Sequence, residues 1–411
     1  MKTTIRRPSV WLGGLLLVLA ACDGGGGGDA GPTETDAGPM GADAGPMSGD
    51  AGPMSDDGGA SDAGPGACAT ACASDEACVR GMCVATCGAD TAGWEAALAA
   101  GLVPLRAFCR VADAFGTLPS GAGRAEVFDV VATATATGTD LVVSAWGASP
   151  IDSAPRRELA TVSVAHDAGT FLFPGGSVTP SGGGLLFGYT LSDPGVSGEV
   201  IHVAADGTVT RYDAPGNFDA ATDRPGRFLV NGLGLAGAGT GQGLYALDTG
   251  ESPARAQRLL LGDLGSYSGA VAVTDQFALA GGLDDAFVSH VYAYGIGALR
   301  AALNDGGDAS DARREVLRSG APLGSAFTVV GEEGALTIVV PRYDAAFALE
   351  ALEALPIAGF TEASGIELGA AYDLTTGSGF SAVYAAATEP MSGRPTVMLR
   401  FAGGLLLALL P

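Results

Sequence analysis

Cysteine is the residue type that carries most of the chemistry available to this sequence. Six of its seven cysteines lie close together, at Cys68, Cys72, Cys78, Cys83, Cys87 and Cys109. In an oxidising compartment, an even number of closely spaced cysteines predicts a disulfide framework, whose pairing the sequence leaves open. Zinc is the alternative, but the segment has no C-x-x-C pair and no nearby histidine. We therefore predict three disulfides here.

Three aspartates form a candidate cation site. Asp305, Asp308 and Asp311 recur every third residue in a loop that contains glycine. Calcium takes several oxygen ligands, and carboxylates with this spacing can supply them, although the order typical of an EF-hand is absent. A solvated acidic loop is the alternative that we favour. We name the three as candidate calcium ligands and predict no other cofactor.

The motifs that usually mark an enzyme are missing or incomplete. The three histidines, His166, His202 and His290, share no sequence context, and there is no H-E-x-x-H or G-x-S-x-G motif. Residues Gly232–Gly237 fit G-x-G-x-x-G, but a further glycine-rich stretch follows where a dinucleotide site needs a helix. We predict no catalytic residue and favour a protein that is not an enzyme, with that question left open.

The N-terminal third of the sequence contains a long spacer. Residues 23–67 include 15 Gly, 5 Pro and 9 acidic residues, and no basic, aromatic, Val, Ile or Leu residue. Such a segment cannot bury enough apolar surface to offset its ordering entropy, so we predict a disordered linker. The whole chain has a formal net charge of −24, which argues against nucleic-acid binding because phosphate backbones are repelled.

Cys22 stands alone, directly after Leu19-Ala20-Ala21 and a short apolar run that follows Lys2, Arg6 and Arg7. A basic region, an apolar region and small residues at the cut site make a secretory signal. With cysteine at the cut, the segment resembles the lipobox of bacterial lipoproteins. The resemblance implies cleavage after residue 21, lipid attachment to Cys22 and a location in the cell envelope. Whether the inner or the outer membrane holds the anchor stays open.

Residues 68–118 form a predicted disulfide-rich collar between the linker and the main domain. Around Cys78-Val79-Arg80-Gly81-Met82-Cys83 the sequence resembles small EGF-like modules, with Gly81 suited to a turn of positive φ. A helical stretch starts near Trp94, and Cys109 is expected to tie it back to the other cysteines.

From about residue 120 onward, short apolar runs alternate with Gly, Pro and Asp turns. Six such runs recur about 43 to 59 residues apart: Leu141–Trp146, Leu185–Tyr189, Phe228–Asn231, Phe277–Ala280, Leu336–Val340 and Ala382–Ala385. A second strand type recurs between them, at Gly243–Leu247, Ser289–Ala293 and Thr396–Phe401. This period predicts a mainly β fold, a six- or seven-bladed β-propeller-like domain over residues 119–411, rather than a β-sandwich pair or a β-helix.

Local patterns add detail to this prediction. Asp206-Gly207 predicts a hairpin. Residues 297–302, 312–318 and 343–355 have helical patterns. A seventh blade would close if the terminal strand at Leu405–Leu410 paired with residues near Val127–Thr135, because closure removes exposed sheet edges.

Together these features predict an envelope lipoprotein with four parts: a signal peptide (1–21), a lipid-anchored linker (22–67), the collar (68–118) and the propeller-like domain (119–411). The predicted function is a binding or interaction module for an unidentified protein or glycan partner. One alternative is an exported propeller hydrolase or lyase that acts on glycans or esters, with or without calcium. The other is a structural envelope protein.

Overall fold

The computed structural model describes most of the chain from Cys68 onward. The described residues are 68–98, 101–109, 118–119, 126–147, 157–167, 172–175, 184–191, 197–215, 217–224, 227–232, 243–248, 255–262, 264, 267–284, 286, 288–319, 327–331, 334–344, 349–376, 380, 382–388, 395–401 and 404–411. The predicted signal peptide, Cys22, the linker and residues 233–237 of the glycine motif lie outside them. Within these segments, no helix combines the length and the apolar character that a membrane span requires.

The collar contains a short hairpin, a helical turn and a strand. These are β1 (Glu76–Val79), β2 (Met82–Ala85), α1 (Trp94–Ala97) and β3 (Val103–Cys109). The hairpin turns at Arg80 and Gly81, whose φ angles are 51° and 80°. Two central residues of positive φ make the tight turn that suits the twist of a hairpin, so glycine at position 81 has the predicted role.

Six antiparallel sheets follow in chain order. Sheet 1 consists of β4 (Leu118–Pro119), β5 (Glu126–Thr135), β6 (Gly138–Gly147) and β7 (Arg157–Ala165). Sheet 2 consists of β8 (Leu172–Gly175), β9 (Gly184–Leu191), β10 (Ser197–Ala204) and β11 (Val209–Pro215). Sheet 3 consists of β12 (Asn217–Arg224), β13 (Arg227–Gly232), β14 (Gly243–Asp248) and β15 (Arg255–Leu260). The predicted Asp206-Gly207 hairpin is confirmed as the β10–β11 connection.

Sheets 4 to 6 depart from this pattern of four consecutive strands. Sheet 4 consists of β16 (Tyr267–Val273), β17 (Phe277–Leu283), β18 (Ser289–Gly295) and β19 (Arg314–Ser319), with helix α2 (Ile296–Asn304) and a 3₁₀ turn (Ser310–Ala312) before β19. Sheet 5 consists of β20 (Thr328–Val330), β21 (Thr337–Tyr343), β22 (Leu349–Thr361), β23 (Gly365–Leu368) and β24 (Tyr372–Thr376). Sheet 6 consists of β25 (Ala382–Thr388), β26 (Pro395–Phe401), β27 (Gly404–Leu409) and the collar strand β3.

Each sheet packs on the next, and the last packs on the first. Strand β12 contacts β8 and β16, β16 contacts β20, β20 contacts β25, and β25 contacts β4. Sheets 1 and 2 share an apolar core that includes Phe128, Val143, Phe187 and Ile201, each at most 2% exposed. The described strands therefore form a propeller-like succession in which the first strand of a sheet faces the neighbouring sheets.

The two ends of the β domain meet in sheet 6. Strand β3 pairs along the whole of β27, from Gly404 opposite Cys109 to Leu409 opposite Val103. The expected terminal strand is confirmed, but its predicted partner near Val127–Thr135 is wrong, because that segment pairs with β4 and β6 instead. The sequence could not show this, since residues 103–109 read equally well as part of the collar.

We expect the substitution Gly404→Ala to weaken this closure. A Cβ at position 404 would overlap the carbonyl oxygen of Phe108 and approach the Phe401 ring. Overpacking of this kind costs about 1–3 kcal/mol of unfolding free energy. Denaturant unfolding measures the loss, and Gly359→Ala, where the new Cβ meets nothing within 4 Å, is the matched control. Equal stabilities for the two variants would contradict the pairing of β3 with β27.

All the apolar runs identified in the sequence are strands, but they do not occupy equivalent positions. The runs starting at Leu185, Phe228, Phe277 and Leu336 lie in the second strands of their sheets. The run at Leu141 lies in the third strand of sheet 1, and the run at Ala382 lies in the first strand of sheet 6. The longest interval, from Phe277 to Leu336, contains helix α2 and the 3₁₀ turn between β18 and β19.

Two of the three helical predictions are wrong. Residues 296–304 do form helix α2, and Leu299 and Ala302 bury its apolar face. Residues 314–319, in contrast, form strand β19, which pairs with β18. Residues 349–361 form β22, in which Ala, Leu and Glu favour a helix by propensity, but β21, β23 and β24 all pair with them. Tertiary pairing outweighs a propensity difference of a few tenths of a kcal/mol per residue.

Candidate functional site

The collar is fixed by the three predicted disulfides, which are Cys68–Cys78, Cys72–Cys83 and Cys87–Cys109. The first two meet at the β1–β2 hairpin, where Cys78 and Cys83 face each other across the strands. The sulfurs of Cys68, Cys72 and Cys83 lie within 4.8 Å of one another, which is the one such group of potential metal ligands in the described part of the chain. Because Cys72 is bonded to Cys83 and Cys68 is bonded to Cys78, these sulfurs are not free thiolates for a metal.

The third disulfide connects the hairpin to the β domain. Cys109 is the last residue of β3, so Cys87–Cys109 joins the collar to the strand that closes sheet 6. The strand pairing thus crosses the predicted boundary between collar and main domain. Cys109 was expected to tie the helical stretch back to the cysteine-rich segment, and the disulfide confirms this.

Trp94 holds α1 against sheets 5 and 6. Its side chain is 2% exposed, and its ring centroid lies 5.5 Å from that of Phe380 and 4.7 Å from that of Phe401. Leu98 and Leu102 belong to the same core, together with residues of β21, β22, β26 and β27. Arg80 donates from Nη1 to the carbonyl oxygen of Leu98 at 2.9 Å. The collar is thus docked on the β domain through a shared apolar core.

A second cluster centres on His290 in β18. Its Nδ1 lies 2.9 Å from Glu315 Oε1 of β19, and its Nε2 lies 3.4 Å from Asp284 Oδ2 in the β17–β18 turn. The imidazole stacks on Tyr292, whose other neighbour is the Arg313 guanidinium, 4.7 Å from the ring centroid. The pKa of Asp284 is lowered, mainly by the hydrogen bond that its carboxylate accepts from the backbone N–H of Val288. The cluster cross-links the turn, β18 and β19.

His290 has a structural role in this arrangement, because its two ring nitrogens lie within hydrogen-bond distance of carboxylates on the β17–β18 turn and on β19. His166 is similar, because its ring nitrogens lie 2.9 Å from Thr139 Oγ1 and 3.2 Å from the carbonyl oxygen of Asp167. His202 lies in β10, where burial lowers its pKa. The three histidines thus lie apart in the sheets: His166 directly follows β7, His202 lies in β10 and His290 lies in β18.

The three candidate calcium ligands do not converge in the structure. Asp305 follows helix α2, and its backbone N–H donates to Ala301. Asp308 accepts from the backbone and the hydroxyl of Ser310 through one oxygen, and the hydroxyl bond is the main cause that lowers its pKa. Asp311 is exposed in the 3₁₀ turn. Among the described residues no carboxylate group of three lies within ligand distance, so calcium binding by this loop stays a prediction.

Two further polar clusters were not identified from the sequence. In sheet 5, Arg342 donates through both Nη atoms to Asp373 at 3.0 and 3.2 Å and through Nε to Glu350 at 3.2 Å. The bonds to Asp373 are the main cause that raises the pKa of Arg342. Arg342 and Asp373 are 31 positions apart, and nothing in their local sequence indicates the contact.

The other cluster joins sheets 1 and 2. Tyr189 donates to Glu199 Oε2 at 2.5 Å, and Arg211 pairs with the same carboxylate and donates to the carbonyl oxygen of Ser163 in β7 at 3.2 Å. Burial is the main cause that raises the pKa of Tyr189. The sequence did carry a signal here, because the Asp206-Gly207 turn fixes the register that places Glu199 near Arg211.

For two buried hydroxyl groups we predict opposite effects of their removal on the free energy of unfolding. Ser144 in β6 is fully buried, and its Oγ has no hydrogen-bond partner among the described residues. Thr375 in β24 is also fully buried, but its Oγ1 accepts from the backbone N–H of Leu352 at 3.3 Å. We expect Ser144→Ala to raise the free energy of unfolding by about 1 kcal/mol and Thr375→Val to lower it by about 1–2 kcal/mol. Urea unfolding of the two variants measures both signs, and a loss of stability in Ser144→Ala would show that its hydroxyl is bonded.

These observations define a class of protein: a mainly β domain of consecutive small antiparallel sheets, with a disulfide-rich N-terminal segment docked on it. Within the described residues, the polar clusters link neighbouring strands, and both ring nitrogens of His290 and of His166 lie within hydrogen-bond distance of partners.

No protein-family model matches the chain, and no curated protein sequence matches it. Solved structures do match at the level of overall shape. The WD40 repeats of RRP9 are 9% identical with a TM-score of 0.39, over 77% of this chain and 99% of that chain. A subtype N10 neuraminidase-like protein of little yellow-shouldered bat origin is 11% identical with a TM-score of 0.41, over 75% and 97%. The lectin of Aleuria aurantia is 9% identical with a TM-score of 0.40, over 73% and 96%. Likeness this distant says nothing of ligand or activity, and the architecture stands on the strand pairings of this chain.

Proposed function

We propose that this chain is an exported, lipid-anchored binding module built on a six-bladed β-propeller. The observation that carries the proposal is the ring of contacts from sheet 1 to sheet 6 and back, with β3 and β27 pairing the two ends of the domain. Six sheets in such a ring are six blades, and a seventh is not needed for closure. Propellers expose two rims and a central channel, on which partners bind.

Binding is a better reading of the described residues than catalysis. His290 and His166 have both ring nitrogens engaged, and Arg342 and Arg211 are paired with carboxylates. These groups use their hydrogen-bonding capacity to hold strands together, which suits a rigid scaffold for a partner. The acidic chain, with a net charge of −24, favours a neutral or basic partner surface.

Saturable binding to cell envelopes tests the binding function. The mature chain carrying Cys22→Ser, which cannot be lipidated, is labelled and titrated onto isolated envelopes. We expect a saturable isotherm that protease treatment of the envelopes abolishes for a protein partner and that periodate abolishes for a glycan partner. A linear, unsaturable isotherm at moderate salt would contradict the proposal and would favour a structural envelope protein.

The enzyme alternative has its own test. The same protein is incubated with fluorogenic glycosides, lactones and esters, with calcium and with a chelator in parallel. Turnover that the chelator removes would replace the binding proposal with a calcium-dependent hydrolase or lyase.

The anchor is tested separately, by fractionation. Because two or three acyl chains hold a protein stably on a membrane, we expect the full-length chain to sediment with membranes and Cys22→Ser to be released into the soluble fraction. Incorporation of labelled palmitate at Cys22 is the direct readout. If Cys22→Ser still sediments with membranes after a high-salt wash, the lipoprotein assignment is wrong.

A further inference from the structure

The three disulfides provide a short covalent path through the collar. A force that enters from the linker reaches the folded chain near Cys68, crosses from Cys72 to Cys83, and continues along the chain to Cys87. From there Cys109 is reached in one step through the disulfide, with 5.1 Å between the two Cα atoms. The alternative route follows the chain through 22 positions. The short route becomes taut first, so the residues between Cys87 and Cys109 stay unloaded.

The bypassed residues are the ones that hold the β domain closed. They include α1, whose Trp94 packs between Phe380 and Phe401, and β3, which completes sheet 6. Neither element has a covalent bond to the β domain other than through Cys109 and the chain that follows it. Their attachment depends on the shared apolar core, on the pairing of β3 with β27 and on a backbone bridge from Leu98 to Thr375, and none of these is covalent.

Because of the register of β3, the resistance of the β3–β27 pair to a pulling force depends on which end of β3 is pulled. At one end Val103 lies opposite Leu409, next to the chain terminus, and at the other end Cys109 lies opposite Gly404. A load between Val103 and the C-terminus acts at one end of the antiparallel pair and opens its hydrogen bonds one after another. A load between Cys109 and the C-terminus acts along the strands, so that the hydrogen bonds resist together.

We propose that the Cys87–Cys109 disulfide is a mechanical bypass, which carries load from the tether around α1 and the closing strand β3. The proposal rests on the proposed function for the source of the load, because a lipid-anchored module that binds a partner is pulled through its linker. The disulfide then protects the closure while the partner stays bound.

Single-molecule pulling tests the bypass without lipid. The mature chain carrying Cys22→Ser is held by peptide tags at its N- and C-termini and stretched in optical tweezers, with its native disulfides and with Cys87→Ser plus Cys109→Ser. In the double variant we expect an early, low-force step that releases about 22 residues, or roughly 70–80 Å of chain at full extension. The native protein should lack this step and rupture first at a higher force.

A matched control removes a disulfide that lies off the short path. In Cys68→Ser plus Cys78→Ser, the connection from Cys72 to Cys83 still carries the load to Cys87. This variant should rupture at the native force without the early step. The same early step in both double variants would overturn the proposal, because general weakening of the collar would then explain it.

A second measurement keeps all the disulfides and moves the handle. A tag attached through an unnatural amino acid at Ala92, which is exposed, applies the load inside the loop. From Ala92 the load reaches Cys109 over five positions and the Cys87–Cys109 disulfide, whereas the route through α1 and β3 has 17 positions, so we expect β3 to stay paired with β27 for this handle as well. An early step in which the Ala92 handle peels β3 from β27 would overturn the bypass. Failure of the lipid anchor, in contrast, appears only in the fractionation of Cys22→Ser and leaves these forces unchanged.

Discussion

Replacing Trp94 with alanine is expected to cost about 3–5 kcal/mol of unfolding free energy, the usual loss for a buried tryptophan. The Trp94 ring fills the space between Phe380 and Phe401, and it is the largest side chain that the collar buries in the β domain. Its removal leaves a cavity in the core that α1 shares with sheets 5 and 6. Denaturant unfolding followed by intrinsic fluorescence, with far-ultraviolet circular dichroism as a second probe, measures the loss.

The control for Trp94→Ala is Ala96→Ser, an exposed position on the same helical turn. Surface substitutions of this kind stay within about 0.5 kcal/mol. Hydrogen exchange adds a readout of position, because loss of docking should expose the amides of β3 and β27 before those of sheets 1 and 2. A Trp94→Ala protein within about 1 kcal/mol of the native chain would mean that the collar is not docked as described, since a buried tryptophan costs more.

Removal of the Cys87–Cys109 disulfide is expected to have the second-largest effect, about 3 kcal/mol. The closed loop of 22 positions restricts the unfolded chain, and the cross-link also keeps β3 beside β27. The measurement is the denaturation midpoint of Cys87→Ser plus Cys109→Ser against the native protein. Because the bond joins the collar to sheet 6, the loss should appear in the main unfolding transition.

The comparison with Cys68→Ser plus Cys78→Ser distinguishes the specific contribution of Cys87–Cys109 to stability from the general effect of removing one disulfide. That disulfide closes a loop of 10 positions inside the collar and has no direct bond to sheet 6. We therefore expect increased exchange in the β1–β2 hairpin, while the main transition moves less than in the other double variant. A larger shift from this pair would show that the hairpin, rather than the closing strand, limits the stability of the domain.

Several features of this protein follow from local sequence. Short apolar runs separated by turn residues predicted most of the strands. A short strand can be recognised locally, from a run rich in β-branched and aromatic residues that is bounded by Gly, Pro, Asn or Asp. The six cysteines in a short segment predicted three disulfides. Arg80-Gly81 and Asp206-Gly207 form hairpin turns, and Gly81 and Gly207 adopt the positive φ that such turns need and that glycine accepts most readily. The lipid anchor at Cys22 and the linker are also sequence inferences, and they remain predictions.

Other features depend on contacts that local sequence does not contain. The residues of β22 favour a helix, but three neighbouring strands make them a strand. Nothing local distinguishes Val103–Cys109 as the partner of β27 from the 127–135 segment, because both are short β-forming stretches and the choice depends on where the ring of sheets ends. Likewise, Arg342 meets Asp373, and His290 meets Asp284 and Glu315, only after the strands have paired. The sequence period indicated the strands other than β19 and β22, whereas the closure of the domain and the pairing of its charged side chains were decided by tertiary structure, because each joins residues far apart in the chain.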